Sequence, residues 1–140
     1  MKSLFIKITI CLTLIGFSFS SYAGVVVIVH SSNGAALDQG SISKIYLGKS
    51  SKFPGGGKVV PIALKADSAA TGEFNSKVLG RDAAQLKAYW SKLVFTGKGV
   101  PPKEMGSDQE VIDLIASNPN MIGFVSDGAD TSSVKVAATF

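Results

Sequence analysis

The sequence predicts an α/β fold, one mixed sheet flanked by helices, and three features carry that prediction. Val25 to Val29 is an unbroken Val-Val-Val-Ile-Val run, the mark of a strand covered on both faces. Between Asp67 and Asn118, apolar residues recur at spacings of three and four in three successive segments, each with its own start and stop signals. Further strand-like runs, Val59 to Leu64, Met121 to Val125 and Ser133 to Ala138, bracket those segments. The order is strand, short helix, strand, three helices, strand, strand, which builds layers around one sheet. No repeat, low-complexity tract or linker divides it.

Each element has a local reason. Ser31-Ser32-Asn33-Gly34 ends the first strand as a turn. Ile42, Ile45, Tyr46 and Leu47 fit a short helix that stops at Gly48. Lys49 to Lys58 is a loop with Pro54 and three consecutive glycines. Pro61 lacks an N–H and points to an edge position or an irregular end for the strand Val59 to Leu64. After Asp67, Ala70, Phe74 and Val78 share one helical face, and Gly80 is the stop. Arg81-Asp82 opens the next helix, whose apolar residues Leu86, Tyr89, Trp90, Leu93 and Val94 read as core. A Gly/Pro loop from Thr96 to Pro102 ends it. Ser107 and Glu110 form a capping box for the last helix, which carries Val111, Ile112, Leu114 and Ile115. Asn118-Pro119 closes that helix.

Residues 1–23 read as a secretory signal. Lys2 and Lys7 precede an apolar run from Ile8 to Phe17, and Ser21-Tyr22-Ala23 supplies small residues for cleavage. The run is short for a membrane span. The expected product is a periplasmic chain of 117 residues, a single domain covering 24–140. Cys11, the one cysteine, falls in the signal, so disulfides and thiolate metal sites are excluded from the remainder. Without Lys2 and Lys7 the chain holds 12 basic and 10 acidic residues, a net charge of +2. That excess is too small and too scattered for a nucleic-acid surface.

Most tempting motifs fail on spacing. Gly48-Lys49-Ser50 ends a helix instead of opening one, and the glycine that a phosphate loop needs five residues earlier is Ser43. His30 is the only histidine and stands without a triad or a metal set. Asp127 and Asp130 flank Gly128 in a turn and lack the regular oxygen ligands of a calcium loop. No nucleophile with a base, metal set or cofactor loop emerges, so the chain reads as a non-enzyme without a cofactor.

One junction remains. Lys65-Ala66-Asp67-Ser68-Ala69-Ala70-Thr71-Gly72 joins a strand to a helix through small residues. A helix start presents unpaired amides and the positive end of the helix dipole to an anion. In this reading Lys65 supplies charge, Thr71 a hydroxyl, and Ala70, Thr71 and Gly72 their amides. The other reading is a plain helix start capped by Asp67 or Ser68.

Three segments, in order, resemble the phosphate-binding proteins of ABC transporters, the two-lobed periplasmic type. They are Ser43-Lys44-Ile45-Tyr46-Leu47-Gly48-Lys49, then Lys65-Ala66-Asp67-Ser68-Ala69-Ala70-Thr71 followed by Phe74, then Asn118-Pro119-Asn120-Met121-Ile122-Gly123-Phe124-Val125. With Tyr89-Trp90-Ser91-Lys92-Leu93-Val94-Phe95-Thr96-Gly97-Lys98-Gly99 between them, the chain looks like a small single-lobe relative. The resemblance implies one three-layer lobe of a periplasmic binding protein, with phosphate or a similar oxyanion as ligand and a membrane transporter as partner.

Two departures follow from the same comparison. The family's anion segment runs Arg-Ser-Asp-x-Ser-Gly-Thr, and only Asp67 and Thr71 match it. Lys65 cannot reproduce the two-pronged grip of a guanidinium, and Ala69 lacks the motif serine's hydroxyl. The family also clamps its ligand between two lobes, and this chain is long enough for one. These losses motivate a reading from another class: a periplasmic interaction or structural module, partner to an envelope protein, that has lost its ligand.

Overall fold

The structure, a computed structural model, describes residues 24–140. The expected signal segment lies outside the described residues. Five strands, β1 (Val25–Val29), β2 (Val60–Leu64), β3 (Lys103–Met105), β4 (Met121–Ser126) and β5 (Lys135–Thr139), form one sheet in the order β3-β2-β4-β1-β5. β2 runs parallel to β3 and β4, while β1 runs antiparallel to β4 and β5. The sheet is therefore mixed, as the sequence predicts.

Four helices accompany it: α1 (Gln39–Tyr46), α2 (Ala69–Phe74), α3 (Ala83–Phe95) and α4 (Asp108–Ser117). The two faces separate cleanly on β4. Gly123 faces α4, where a Cβ would stand 2.6 Å from Val111 Cγ1. Phe124, pointing the other way, stacks on Phe74 of α2 with ring centroids 4.2 Å apart. Tyr46 of α1 meets the edge of Phe74 at 4.6 Å and completes the aromatic centre of the core. Its buried hydroxyl donates to the Ile62 carbonyl at 2.8 Å and lies 3.3 Å from the Ile122 carbonyl. It thereby ties β2 to β4 where their ladder stops, at Pro61↔Ile122. Burial holds the Tyr46 phenol well above its usual range and keeps it neutral.

Four expectations need correction. Of the two readings of Pro61, the edge strand fails, since β2 lies between β3 and β4, and the irregular end holds, since Pro61 is the second residue of β2 and pairing with β3 begins only at Ile62. Val60 donates to Asn120 O on the β4 side at 2.8 Å. Strand amides alternate in direction, so the missing N–H of Pro61 falls on the β3 side, before pairing with Lys103 begins at Ile62. Secondly, β3 was not anticipated, because Lys103-Glu104-Met105 has no pattern of its own and is held by β2.

The third correction concerns α3. Only Leu86 of its apolar stripe is buried, Val94 is 53% exposed, and the helix stands away from the sheet. The fourth concerns the capping box at Ser107. Ser107 Oγ accepts from Glu110 N at 3.2 Å, but Glu110 reaches past Ser107 to accept from Gly106 N at 2.9 Å. The complete box opens α3 instead, where Asp82 and Gln85 cap each other's amides.

Candidate functional site

β2 carries Leu64 into the core and ends at Lys65, whose amide still pairs with Met105 O at 3.1 Å. The chain then turns sharply. Ser68 N donates to Lys65 O at 2.9 Å, and Thr71 Oγ1 donates to the same carbonyl at 2.8 Å, with Leu64 O at 3.2 Å. One carbonyl thus accepts from both the turn and the first turn of α2, which fixes the angle between strand and helix. A turn of π-helix, Asn75–Leu79, extends α2 to Gly80, which ends it in the left-handed conformation at φ 63°.

Ser68 is the N-cap residue, with extended backbone, and its side chain makes no capping bond. Gly72 N donates to Ser68 O at 3.2 Å, the first rung of the helix. The amides of Ala69, Ala70 and Thr71 accordingly precede the ladder, and no side chain or carbonyl among the described residues accepts from them. Such orphan donors at a helix start are where anions settle. Ala69 is exposed, whereas Ala70 is 3% and Thr71 7% exposed, so approach is from the Ala69 side. Lys65 is exposed beside this opening and forms no ion pair; among the described residues the one ion pair is Lys77–Glu73 at 3.0 Å. The junction lies just past the carboxyl end of β2, where α/β sheets generally bind ligands.

Two roles assigned from sequence therefore change. The Thr71 hydroxyl points inward as a structural donor and has no proton left for a ligand. The Gly72 amide belongs to the helix ladder. In their place stands the Ala69 amide, which the sequence reading omitted. Placing the N-cap at Ser68 would have found it, since the free amides then fall at residues 69–71. Lys65 and the Ala70 and Thr71 amides remain together at the junction.

Other chemistry-bearing groups lie elsewhere. Ser32 donates its amide to His30 Nδ1 at 3.1 Å, and its hydroxyl lies 2.7 Å from the same nitrogen. That closes a local turn. Among the described residues no group of three or more His, Cys, Asp or Glu is placed to hold a metal, and no helix is long and apolar enough to cross a membrane.

No protein-family model matches the sequence, and no curated protein matches it either. Solved structures do. An ABC-type phosphate transport receptor from Vibrio cholerae superposes with a TM-score of 0.63 at 19% identity, over 81% of this chain and 45% of that one. The fold is that of part of this receptor. A putative phosphate ABC transporter substrate-binding protein with bound phosphate from Clostridium perfringens gives 0.59 at 21% identity over 81% and 44% of the two chains. PstS from Borrelia burgdorferi gives 0.57 at 14% identity over 79% and 44%. The chain spans somewhat less than half the length of these neighbours.

Proposed function

We propose that this protein is an exported, non-enzymatic binding lobe that takes phosphate or a similar oxyanion at the junction Lys65–Gly72. The observation that carries the reading is the uncapped helix start, where three amides in succession have no internal partner and Lys65 stands beside them with no carboxylate partner. The fold shared with phosphate receptors supports it, and so does the position of the junction at the carboxyl end of β2. In this reading the Ala69, Ala70 and Thr71 amides hold the anion's oxygens and Lys65 neutralises its charge. Thr71 sets the angle of the junction through its inward hydroxyl.

Binding at a site with backbone donors and one lysine is weaker than in a guanidinium-clamped cleft. Each hydrogen bond lost to a charged ligand costs about 1.5–3 kcal/mol, so two weakened contacts lower affinity by more than about a hundredfold. A periplasmic location and a membrane transporter as partner follow from the same reading, with the N-terminal segment 1–23 as the export signal. Isothermal titration of the purified protein with phosphate and sulfate tests the ligand. Saturable heat that disappears in Lys65→Glu supports the reading, and absence of heat at tens of millimolar anion, with the fold intact, rejects it.

A further inference from the structure

Of the asparagines in the sequence, Asn33 alone precedes a glycine. Asn118 precedes Pro119, whose nitrogen carries no proton, and Asn75 and Asn120 precede Ser76 and Met121. The Asn33-Gly34 pair lies in the turn after β1, which Asn33 N closes by donating to His30 O at 2.9 Å. Gly34 is exposed, and a Cβ there would meet nothing within 4 Å. Its amide donates to no group among the described residues.

Two hydrogen bonds act on this pair. Ala35 N donates to Asn33 Oδ1 at 2.8 Å, which folds the side chain back along the Asn33–Gly34 peptide. The same bond draws electron density from Cγ and stabilises the charge that Oδ1 takes when a nucleophile adds there. The Lys135 ammonium donates to the main-chain oxygen of Asn33 at 2.9 Å. Resonance joins that oxygen to the Gly34 nitrogen through the peptide bond. The cation therefore stabilises the anion formed when the Gly34 N–H loses its proton. One donor prepares the electrophile and the other the nucleophile, and the chain already holds the two side by side.

We propose that Asn33 is a self-modification site. The Gly34 N–H gives its proton to solvent, and the nitrogen forms a bond to Asn33 Cγ. The Cγ–Nδ2 bond breaks, and Nδ2 leaves as ammonia after taking a proton from water. The product is a cyclic imide. Water opens it at either carbonyl, giving aspartate or isoaspartate at position 33. No cofactor, oxidant or reductant is needed. The new carboxylate is favoured where it arises. It stands beside Lys135, and the adjoining cleft of about 510 Å³, lined by Ser32, Asn33, Lys58 and Asn120 with several glycines and prolines, holds no other acid. From Gln39 to Ala66 the chain carries five lysines and no acid.

The test incubates the purified protein at neutral pH in water labelled with heavy oxygen and follows Asn33, Asn75 and Asn120 by peptide mass spectrometry. The same chain unfolded in urea is the reference. The expected result is conversion at Asn33 ahead of the other two, with uptake of label, and severalfold faster in the folded protein than in urea. Gly34→Ala slows it about tenfold or more, because a side chain on the attacking residue crowds the ring; the fold tolerates this change, since Gly34 does not use a left-handed backbone. Lys135→Met slows conversion severalfold at an unchanged thermal midpoint, whereas Lys135→Arg retains it. The proposal is overturned by a folded-state rate equal to or below that in urea, by conversion spread evenly over the three asparagines, or by indifference to Lys135→Met. Asn33 follows β1 at the amino ends of β2 and β4, away from the oxyanion junction at the carboxyl end of β2, so none of these outcomes depends on phosphate binding.

Discussion

Replacing Ala69 by proline removes one proposed ligand donor and almost nothing else. Ala69 is the first residue of α2, where proline is favoured because its missing N–H has no helical acceptor and its fixed φ suits the helix. The residue before a proline must be extended, and Ser68 already is, at φ −67° and ψ 138°. The Ala69 amide donates to no group among the described residues, so no internal bond is lost. Stability should hold or rise by about 0.4–1 kcal/mol through the stiffer unfolded chain. Anion affinity should fall, because a hydrogen bond to a charged ligand contributes about 1.5–3 kcal/mol, equivalent to roughly 10- to 150-fold. The assay is a phosphate titration of wild type and Ala69→Pro side by side, with thermal unfolding as the control. Wild-type affinity in a folded Ala69→Pro protein would refute the assignment of these amides to the ligand.

Thr71→Val tests the inward hydroxyl: it removes one of the two donors to the Lys65 carbonyl, Ser68 N remaining, together with the hydroxyl contact to Leu64 O, and should cost about 0.5–1.5 kcal/mol of stability, with Thr71→Ser retaining most of it. Were Thr71 a ligand donor instead, Thr71→Val would weaken phosphate binding and leave the thermal midpoint in place. Tyr46→Phe, at a buried position, removes the bridge between β2 and β4 and should cost ~1–3 kcal/mol, read as a lowered urea midpoint at unchanged slope. Gly123→Ala forces a methyl into Val111 of α4, and the overpacking should cost about 1–3 kcal/mol by the same measurement.

What could be read from sequence is what local chemistry determines. The Val25–Val29 run needs no partner to announce a buried strand, and Gly80 stops its helix because its left-handed φ of 63° suits glycine. Ala70, Phe74 and Val78 keep their common buried face despite the turn of π-helix that follows α2. What was missed depends on neighbours distant in sequence. Lys103-Glu104-Met105 becomes a strand through β2, and Pro61 is tolerated inside the sheet through the stagger of β3 against β4. The α3 stripe has the right period, but period says only that an apolar face exists and not what covers it. At the junction the residue types were legible, whereas the donors were not. A shift of one residue in the N-cap decides whether Ala69 or Gly72 offers its amide, and only the hydrogen bonds fix that register.

The most direct test of the oxyanion site follows individual amides. In a phosphate titration monitored by ¹⁵N–¹H correlation spectra, the Ala69, Ala70 and Thr71 resonances should move together and saturate, while Gly72, bonded to Ser68, moves less. Saturation elsewhere, for instance in the loop Gly55–Gly57, with residues 69–71 unmoved, would contradict the account.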